Sequence, residues 1–430
     1  MMRINRFWFV FGLLLASLCI RMAAVGVLRD WRDGPSPRHG ADGLEYDAIG
    51  SRLATSFDYS IVSGKPTSFR APGFPSFLAL VYKALGRDYP SARLSLCLLG
   101  SLSVILTYVL ARELLDESRA RWAGVLAATY PPHILFATRF DSENLYVPLL
   151  AAGLLIGVRQ VYRPSASASA VTGVLLGCAA LTRPFSLLLL PVLLVVMILE
   201  QSRTRRYCLP ALFALTVACC ATIGVWTARN YRVHGRFVAI ATNGGSTFYG
   251  GNNSLVAHQF SRLGGWVSTV ELPGRDAIEA TPDEVTHDQM EWRLGLDWVR
   301  RHPSLMPQLL LAKAIRFMGP DIDSPNRLYV VFNVLTVIPF MVLYILGAIE
   351  ALRAGEYRTA PWLLLHGVFL ATLATALIFW GSPRFRDSIT PVLMIYAAVP
   401  LKPRRLRQEV MACPPDDGAS VTTAALVASD

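Results

Sequence analysis

The chain has 430 residues, of which 53% are apolar and only 17% charged, and its mean hydropathy is +0.41. Soluble domains carry about a quarter charged residues, so this composition excludes a chain that is disordered as a whole, a fibre and a string of ordinary soluble domains. The formal charge of +11, from 41 Lys and Arg against 30 Asp and Glu, could mark nucleic acid, an anionic membrane surface or an acidic substrate. The basic residues sit singly or in short clusters between apolar blocks, so no segment reads as a nucleic-acid module.

The apolar blocks run for about 16–22 residues, near the ~20 that a helix needs to cross ~30 Å of hydrocarbon. They predict an all-α polytopic membrane protein with spans at 7–28, 91–111, 122–138, 143–162, 167–182, 184–200, 208–228, 328–349, 360–380 and 387–401. Arg3 and Arg6 ahead of the first run, and Met22-Ala23-Ala24 near its end, are signal-peptide features. The run is long and further spans follow, so it is read as an uncleaved anchor.

Orientation follows from Arg and Lys in short flanks. On the amino-terminal side lie Arg3, Arg6, Arg112, Arg119, Arg121, Arg159, Arg163, Arg203, Arg205, Arg206, Arg353, Arg358, Lys402, Arg404, Arg405 and Arg407. Short connections on the other side hold only Arg139, Arg183, Arg384 and Arg386. Both termini are therefore expected in the cytoplasm, and the long segments 29–90 and 229–327 outside. Residues 1–401 form the membrane domain, and 402–430 a cytoplasmic tail expected to be disordered beyond Arg407. Within the second long segment, Pro282-Asp283-Glu284 opens a predicted helix through about Arg301. Ser304–Met318 is apolar but carries Lys313 and Arg316, which suits an interfacial or re-entrant helix. The long segments contain no cysteine, so no disulfide framework is expected.

Candidate chemistry gathers on the external side. The first long segment carries Asp42-Gly43-Leu44-Glu45-Tyr46-Asp47 and Arg70-Ala71-Pro72-Gly73-Phe74-Pro75. Asp42 with Glu45 three residues on fits a capping box ahead of Leu44, Ile49 and Leu53. The same carboxylate, held at the membrane boundary, also fits a general base. The two readings are compatible if Asp42 leads its helix toward a cavity. Arg139-Phe140-Asp141-Ser142-Glu143, Thr182-Arg183-Pro184 and Ser382-Pro383-Arg384-Phe385-Arg386-Asp387 lie at span ends of the same side. Ionisable residues there face a cavity rather than lipid. Arginine suits phosphate because its planar fork offers two parallel donors and keeps its charge. The seven histidines lack metal-ligand spacing, and no zinc pattern, phosphate-cradling P-loop or G-x-S-x-G elbow occurs. No metal or cofactor is expected.

With these residues in hand, the sequence resembles the GT-C superfamily of membrane glycosyltransferases. The resemblance is to bacterial relatives of protein O-mannosyltransferase, of the family 39 type, and of the lipid A aminoarabinose transferase. It rests on Asp42-x-x-Glu45-Tyr46-Asp47, Arg70-Ala71-Pro72-Gly73-Phe74-Pro75, Ser142-Glu143, the stretch from Arg229-Asn230 to Asn252, and Arg384-Phe385-Arg386 before the last span. It implies a GT-C-like bundle of about 10–12 transmembrane helices with two long external loops carrying juxtamembrane helices, in a bacterial inner membrane. It also implies inverting transfer of a sugar from a polyprenyl phosphate to a hydroxyl acceptor, which could be a glycolipid, a polysaccharide or a protein. It places the acid acting on the acceptor at Asp42, with Glu143 as a second acid. The donor phosphate falls near Arg70, with Arg183, Arg384 and Arg386 as further candidates; Glu45, Tyr46, Asp47, Arg139 and Asp141 are other cavity candidates. This chain has Arg-Ala-Pro where the aminoarabinose transferases have a lysine before two prolines, and it lacks the Trp-Trp-Asp signature of oligosaccharyl transferases. A transporter or flippase for a lipid-linked anion would also want such arginines, but it would show repeats and helices broken near the midplane. A non-catalytic relative serving in assembly is a third reading.

Overall fold

Inside hydrocarbon only a helix or a closed barrel satisfies every backbone hydrogen bond, and the apolar runs of this chain take the helical solution. The computed structural model describes residues 2–28, 31–36, 41–281, 283–322, 327–355 and 358–401; the expected disordered tail lies outside them. Helix α1 (Met2–Leu28) is followed by α2 (Asp42–Ser56), a small antiparallel hairpin of β1 (Ser60–Val62) and β2 (Lys65–Pro66), and α3 (Gly73–Leu85). Next come α4 (Tyr89–Arg112), α5 (Glu117–Thr129), α6 (Pro131–Phe136), α7 (Glu143–Tyr162) and α8 (Ala166–Thr182). A 3₁₀ turn, Pro184–Leu188, leads into α9 (Leu189–Thr204), and α10 (Leu209–His234) follows. The second long segment folds as α11 (Gly244–Gly251), α12 (Ser254–His258), α13 (Arg275–Glu279), α14 (Glu284–Arg301) and α15 (Met306–Met318). The chain then returns through α16 (Arg327–Arg353), α17 (Ala360–Ile378), α18 (Pro383–Asp387) and α19 (Thr390–Ala398).

Among the described residues, seven helices are long and apolar enough to cross a membrane: α1, α4, α7, the Pro184–Thr204 stretch, α10, α16 and α17. The other predicted spans differ for physical reasons. The run 122–138 is split because Pro131 lacks an N–H and forces Tyr130 into an extended conformation (φ −66°, ψ 113°). The last span is a nine-residue helix whose residues are all buried between α4, α5 and α16, as expected of a helix that is apolar on every face. Helix α8 packs on α10 through Gly173 and Gly177, a small-residue pair four apart. A Cβ at Gly173 would lie 2.3 Å from the Leu215 carbonyl oxygen, and one at Gly177 2.7 Å from Thr222 Cβ.

The two long segments pack together at one end of the bundle. Asp283 caps α14 by accepting from the Thr286 N–H (2.9 Å), so this helix starts where its sequence predicts. Glu284 then clasps the first segment to the second. It accepts from the Ser68 N–H (2.8 Å), from the Thr67 hydroxyl (2.6 Å) and from the Thr242 hydroxyl. Asn230, fully buried near the end of α10, accepts from the Ser68 hydroxyl (2.7 Å) and donates to the Val238 and Ile240 carbonyls (3.1 Å each). On α15, Lys313 turns into the protein. It is fully buried and donates to Asn252 Oδ1 (2.8 Å) and to the Leu377 carbonyl (3.1 Å), which closes the carboxyl-terminal end of α17. Replacing Glu284 with Ala removes the acceptor for three donors. It is expected to cost about 1–3 kcal/mol, read as a lower unfolding temperature and faster exchange of the Ser68 amide, with a smaller effect for Glu284→Gln.

Candidate active site

Glu143 is the first residue of α7 and has no exposed surface. A carboxylate there needs a cation, and two guanidiniums supply it. Arg183 pairs with Oε1, and Arg384 grips both oxygens, through Nε to Oε1 and through Nη2 to Oε2 (3.0 Å). Arg183 reaches this position because Pro184 holds it extended (φ −140°, ψ 106°) at the end of α8. Its guanidinium lies over the rings of Phe185 (5.2 Å) and Phe385 (5.9 Å).

The outer edge of Arg384 meets Asp42: Nη1 donates to Oδ2 at 2.8 Å. Asp42 Oδ1 takes Arg70 Nη2, also at 2.8 Å, and Arg70 Nε is held by Glu45. Asp42 and Glu45 are three residues apart on α2, so they share a face. No capping box forms. Ala41 is the N-cap, no side chain caps the helix, and both carboxylates turn to arginine instead. Arg70 sits in the turn before α3, with its carbonyl accepting from the Tyr59 hydroxyl (2.9 Å) and its guanidinium over Tyr46 (5.6 Å) and Phe69 (5.0 Å). Gly73 lets this turn press on the end of α8, since a Cβ there would lie 2.3 Å from Thr182 Oγ1.

Burial pushes the Asp42 carboxyl up, but Arg384 and Arg70 outweigh it and hold the group below the usual carboxylate range. Burial likewise lowers the proton affinity of Arg384, and Glu143, Asp141 and Asp42 together raise it well above the ordinary value. Asp141 lies 3.5 Å from Arg384 Nη2. Burial keeps its carboxyl above the ordinary value despite Arg384, with the charges of Glu143 and Asp42 adding to the shift. Arg139 stands next to Asp141 and Tyr329.

Asp42, Glu45, Tyr46, Arg70, Arg139, Asp141, Glu143, Arg183 and Arg384 are thus brought together. Two candidates are not. Asp47 is on the opposite face of α2, buried against α3 and α4, where it accepts from Tyr82 Oη (2.6 Å), Arg87 Nη2 (2.6 Å) and Tyr89 Oη (3.2 Å). Arg386 has no exposed surface and is spent on Asp387 Oδ1 (2.8 Å) and the Met318 carbonyl (2.7 Å). The clasp at Glu284, Thr67, Ser68 and Thr242 carries no local motif, and only its position two residues from Arg70 links it to the site.

Residues 69–226 match the family described as dolichyl-phosphate-mannose-protein mannosyltransferase. None of the curated proteins compared with the chain matches it. Among solved structures, the apo oligosaccharyltransferase of Archaeoglobus fulgidus is similar at 14% identity and a TM-score of 0.53, over 91% of this chain and 50% of that one. The archaeal oligosaccharyltransferase AglB of the same organism, in complex with an inhibitory peptide and a dolichol-phosphate, is similar at 14% identity and a TM-score of 0.50, over 92% and 50%. ArnT from Cupriavidus metallidurans bound to undecaprenyl phosphate is similar at 16% identity and a TM-score of 0.42, over 90% and 78%. The chain therefore spans about half the length of the oligosaccharyltransferases it matches. The helical bundle, the family match from residue 69 into α10 and the likeness to the two oligosaccharyltransferase structures agree: the chain has the fold of the GT-C superfamily of membrane glycosyltransferases.

Proposed function

We propose that this chain transfers a sugar from a polyprenyl-phosphate donor to a hydroxyl acceptor at the end of the bundle where its two long segments meet, on the external face of the membrane. The observation that carries this reading is the junction of Asp42 with Arg70 and Arg384. It puts a carboxylate able to take a proton beside two cations able to hold a phosphate. The AglB likeness supports a lipid-phosphate donor, since that protein was captured with dolichol-phosphate.

In this reading the acceptor oxygen attacks the anomeric carbon as its proton passes to Asp42. The bond from that carbon to the phosphate oxygen breaks, and its electron pair leaves with the polyprenyl phosphate. Arg70 and Arg384 stabilise the charge that grows on the phosphate. A phosphate is already a good leaving group, so no strong acid is required on that side. Asp42 and Glu143 bind opposite edges of one guanidinium, so a cation rather than a sugar lies between them. That favours a single displacement with inversion over a double displacement between paired carboxylates. Glu143 takes the part of anchor for Arg183 and Arg384 rather than of a second acid.

Reconstitution in lipid with a panel of polyprenyl-phosphate sugars tests the reading. Free polyprenyl phosphate is expected to accumulate with the wild type and about 10²–10⁴-fold more slowly with Asp42→Asn; equal rates would remove Asp42 from the chemistry. Because Asp42 stays ionised below the usual carboxylate range, kcat/KM is expected to hold down to about pH 4. Arg70→Gln withdraws one of the two cations and should move that acid-side limb upward. Glu143→Ala removes the buried carboxylate that Arg183 and Arg384 share. It is expected to cost about 3–5 kcal/mol, seen as a fall in thermal unfolding temperature.

A further inference from the structure

A base must be basic, yet each Asp42 oxygen already accepts from an arginine, Oδ1 from Arg70 Nη2 and Oδ2 from Arg384 Nη1, each at 2.8 Å. Two cations on one carboxylate weaken its pull on a proton even though each oxygen keeps a second lone pair. The donor phosphate would bind those same guanidinium edges. The two arginines are not equally free to exchange partners. Arg384 is gripped by Glu143 through Nε and Nη2, with Asp141 3.5 Å away. Arg70 is tied to Glu45 through Nε alone, while the faces of Tyr46 and Phe69 fix its plane. Asp42 is also the more exposed member of its pair with Arg70, at 28% against 14% of the side chain.

We propose that the donor phosphate and the Asp42 carboxylate compete for Arg70, so that seating the donor frees Asp42 and the acceptor reacts only afterwards. This rests on the reading of Arg70 and Arg384 as the phosphate site. The exchange puts the singly charged phosphodiester of the donor in place of Asp42 on the Nη edge, so Arg70 keeps a charge-assisted partner, while the site as a whole gains one negative charge that Arg70 and Arg384 share. Glu45 keeps Nε throughout, which holds Arg70 in place when Asp42 lets go. Asp42, left with Arg384 alone, becomes the stronger base at the moment the sugar arrives. Asp42 then gives its proton to the departing phosphate monoester or to solvent, and departure of the polyprenyl phosphate restores the Asp42–Arg70 pair and closes the site to a stray hydroxyl or water.

The test measures binding of undecaprenyl phosphate to the full chain in lipid nanodiscs. Asp42→Asn and Asp42→Ser are expected to bind it about tenfold more tightly than the wild type, and the gain should vanish in an Arg70→Gln background. Asp141→Asn removes the same charge from Arg384 without touching Arg70, and should change the affinity by less than about twofold. Unchanged or weaker binding by both Asp42 variants, with Arg70→Gln still weakening it, overturns the competition and leaves the phosphate site standing. An equal gain from Asp141→Asn also overturns it, since the effect would then be one of general charge. Wild-type affinity in both Arg70→Gln and Arg384→Gln would sink the phosphate site itself, and this proposal with it.

Discussion

A carboxylate without water must be given a cation, and at Glu143 that requirement organises one end of the molecule. The residue opens α7 with no exposed surface. To neutralise it the chain brings Arg183 from the end of α8 and Arg384 from a short helix 241 residues downstream. Arg384 has donors to spare once both Glu143 oxygens are filled, and its remaining edge draws in Asp42, 342 residues away in sequence. Asp42 in turn recruits Arg70, and Glu45 holds Arg70 from behind. Five parts of the chain, α7, the end of α8, α18, α2 and the turn before α3, are thus tied by a chain of alternating charges that begins with one buried group.

The bundle is legible in the sequence wherever a run is both apolar and long. The spans corresponding to α1, α4, α7, α10, α16 and α17 lie within a few residues of their predicted bounds, except that α10 continues to His234. Reading failed where hydropathy and backbone chemistry disagree. Pro131 breaks one apolar run into two helices, and the run before Leu401 forms a nine-residue helix buried in the core. Lys313 shows the same limit from the other side. A cation in an apolar helix reads as interfacial or re-entrant, and hydropathy does not show that Lys313 donates to Asn252 and to the carbonyls that end α17.

The site was legible through parity more than through motifs. Once the spans are counted, Asp42, Arg139, Glu143, Arg183 and Arg384 must share one side, and a shared side with opposite charges leads to convergence. Which face of a helix a residue takes was harder to read. Asp47 lies only two positions beyond Glu45, but that rotation of about 200° carries it to the tyrosines of the opposite face. Arg386, two positions beyond Arg384, is lost to the core in the same way. Asp42 followed by Glu45 has the spacing of a capping box, but arginines outcompete backbone amides for a carboxylate when charge is scarce.

The Glu284 clasp constrains how such a chain can be rebuilt. Its acceptor belongs to the second long segment, while two of its donors, Thr67 and Ser68, belong to the first and stand two or three residues from Arg70. A chimera that imports a foreign second segment would release the clasp on the turn that carries Arg70 unless it also imports a carboxylate at 284 and a hydroxyl at 242. Exchange of this segment between relatives is therefore not modular. A boundary drawn inside α14, after Glu284, would keep the clasp on the turn that carries Arg70, whereas one drawn at the end of α10 would remove it.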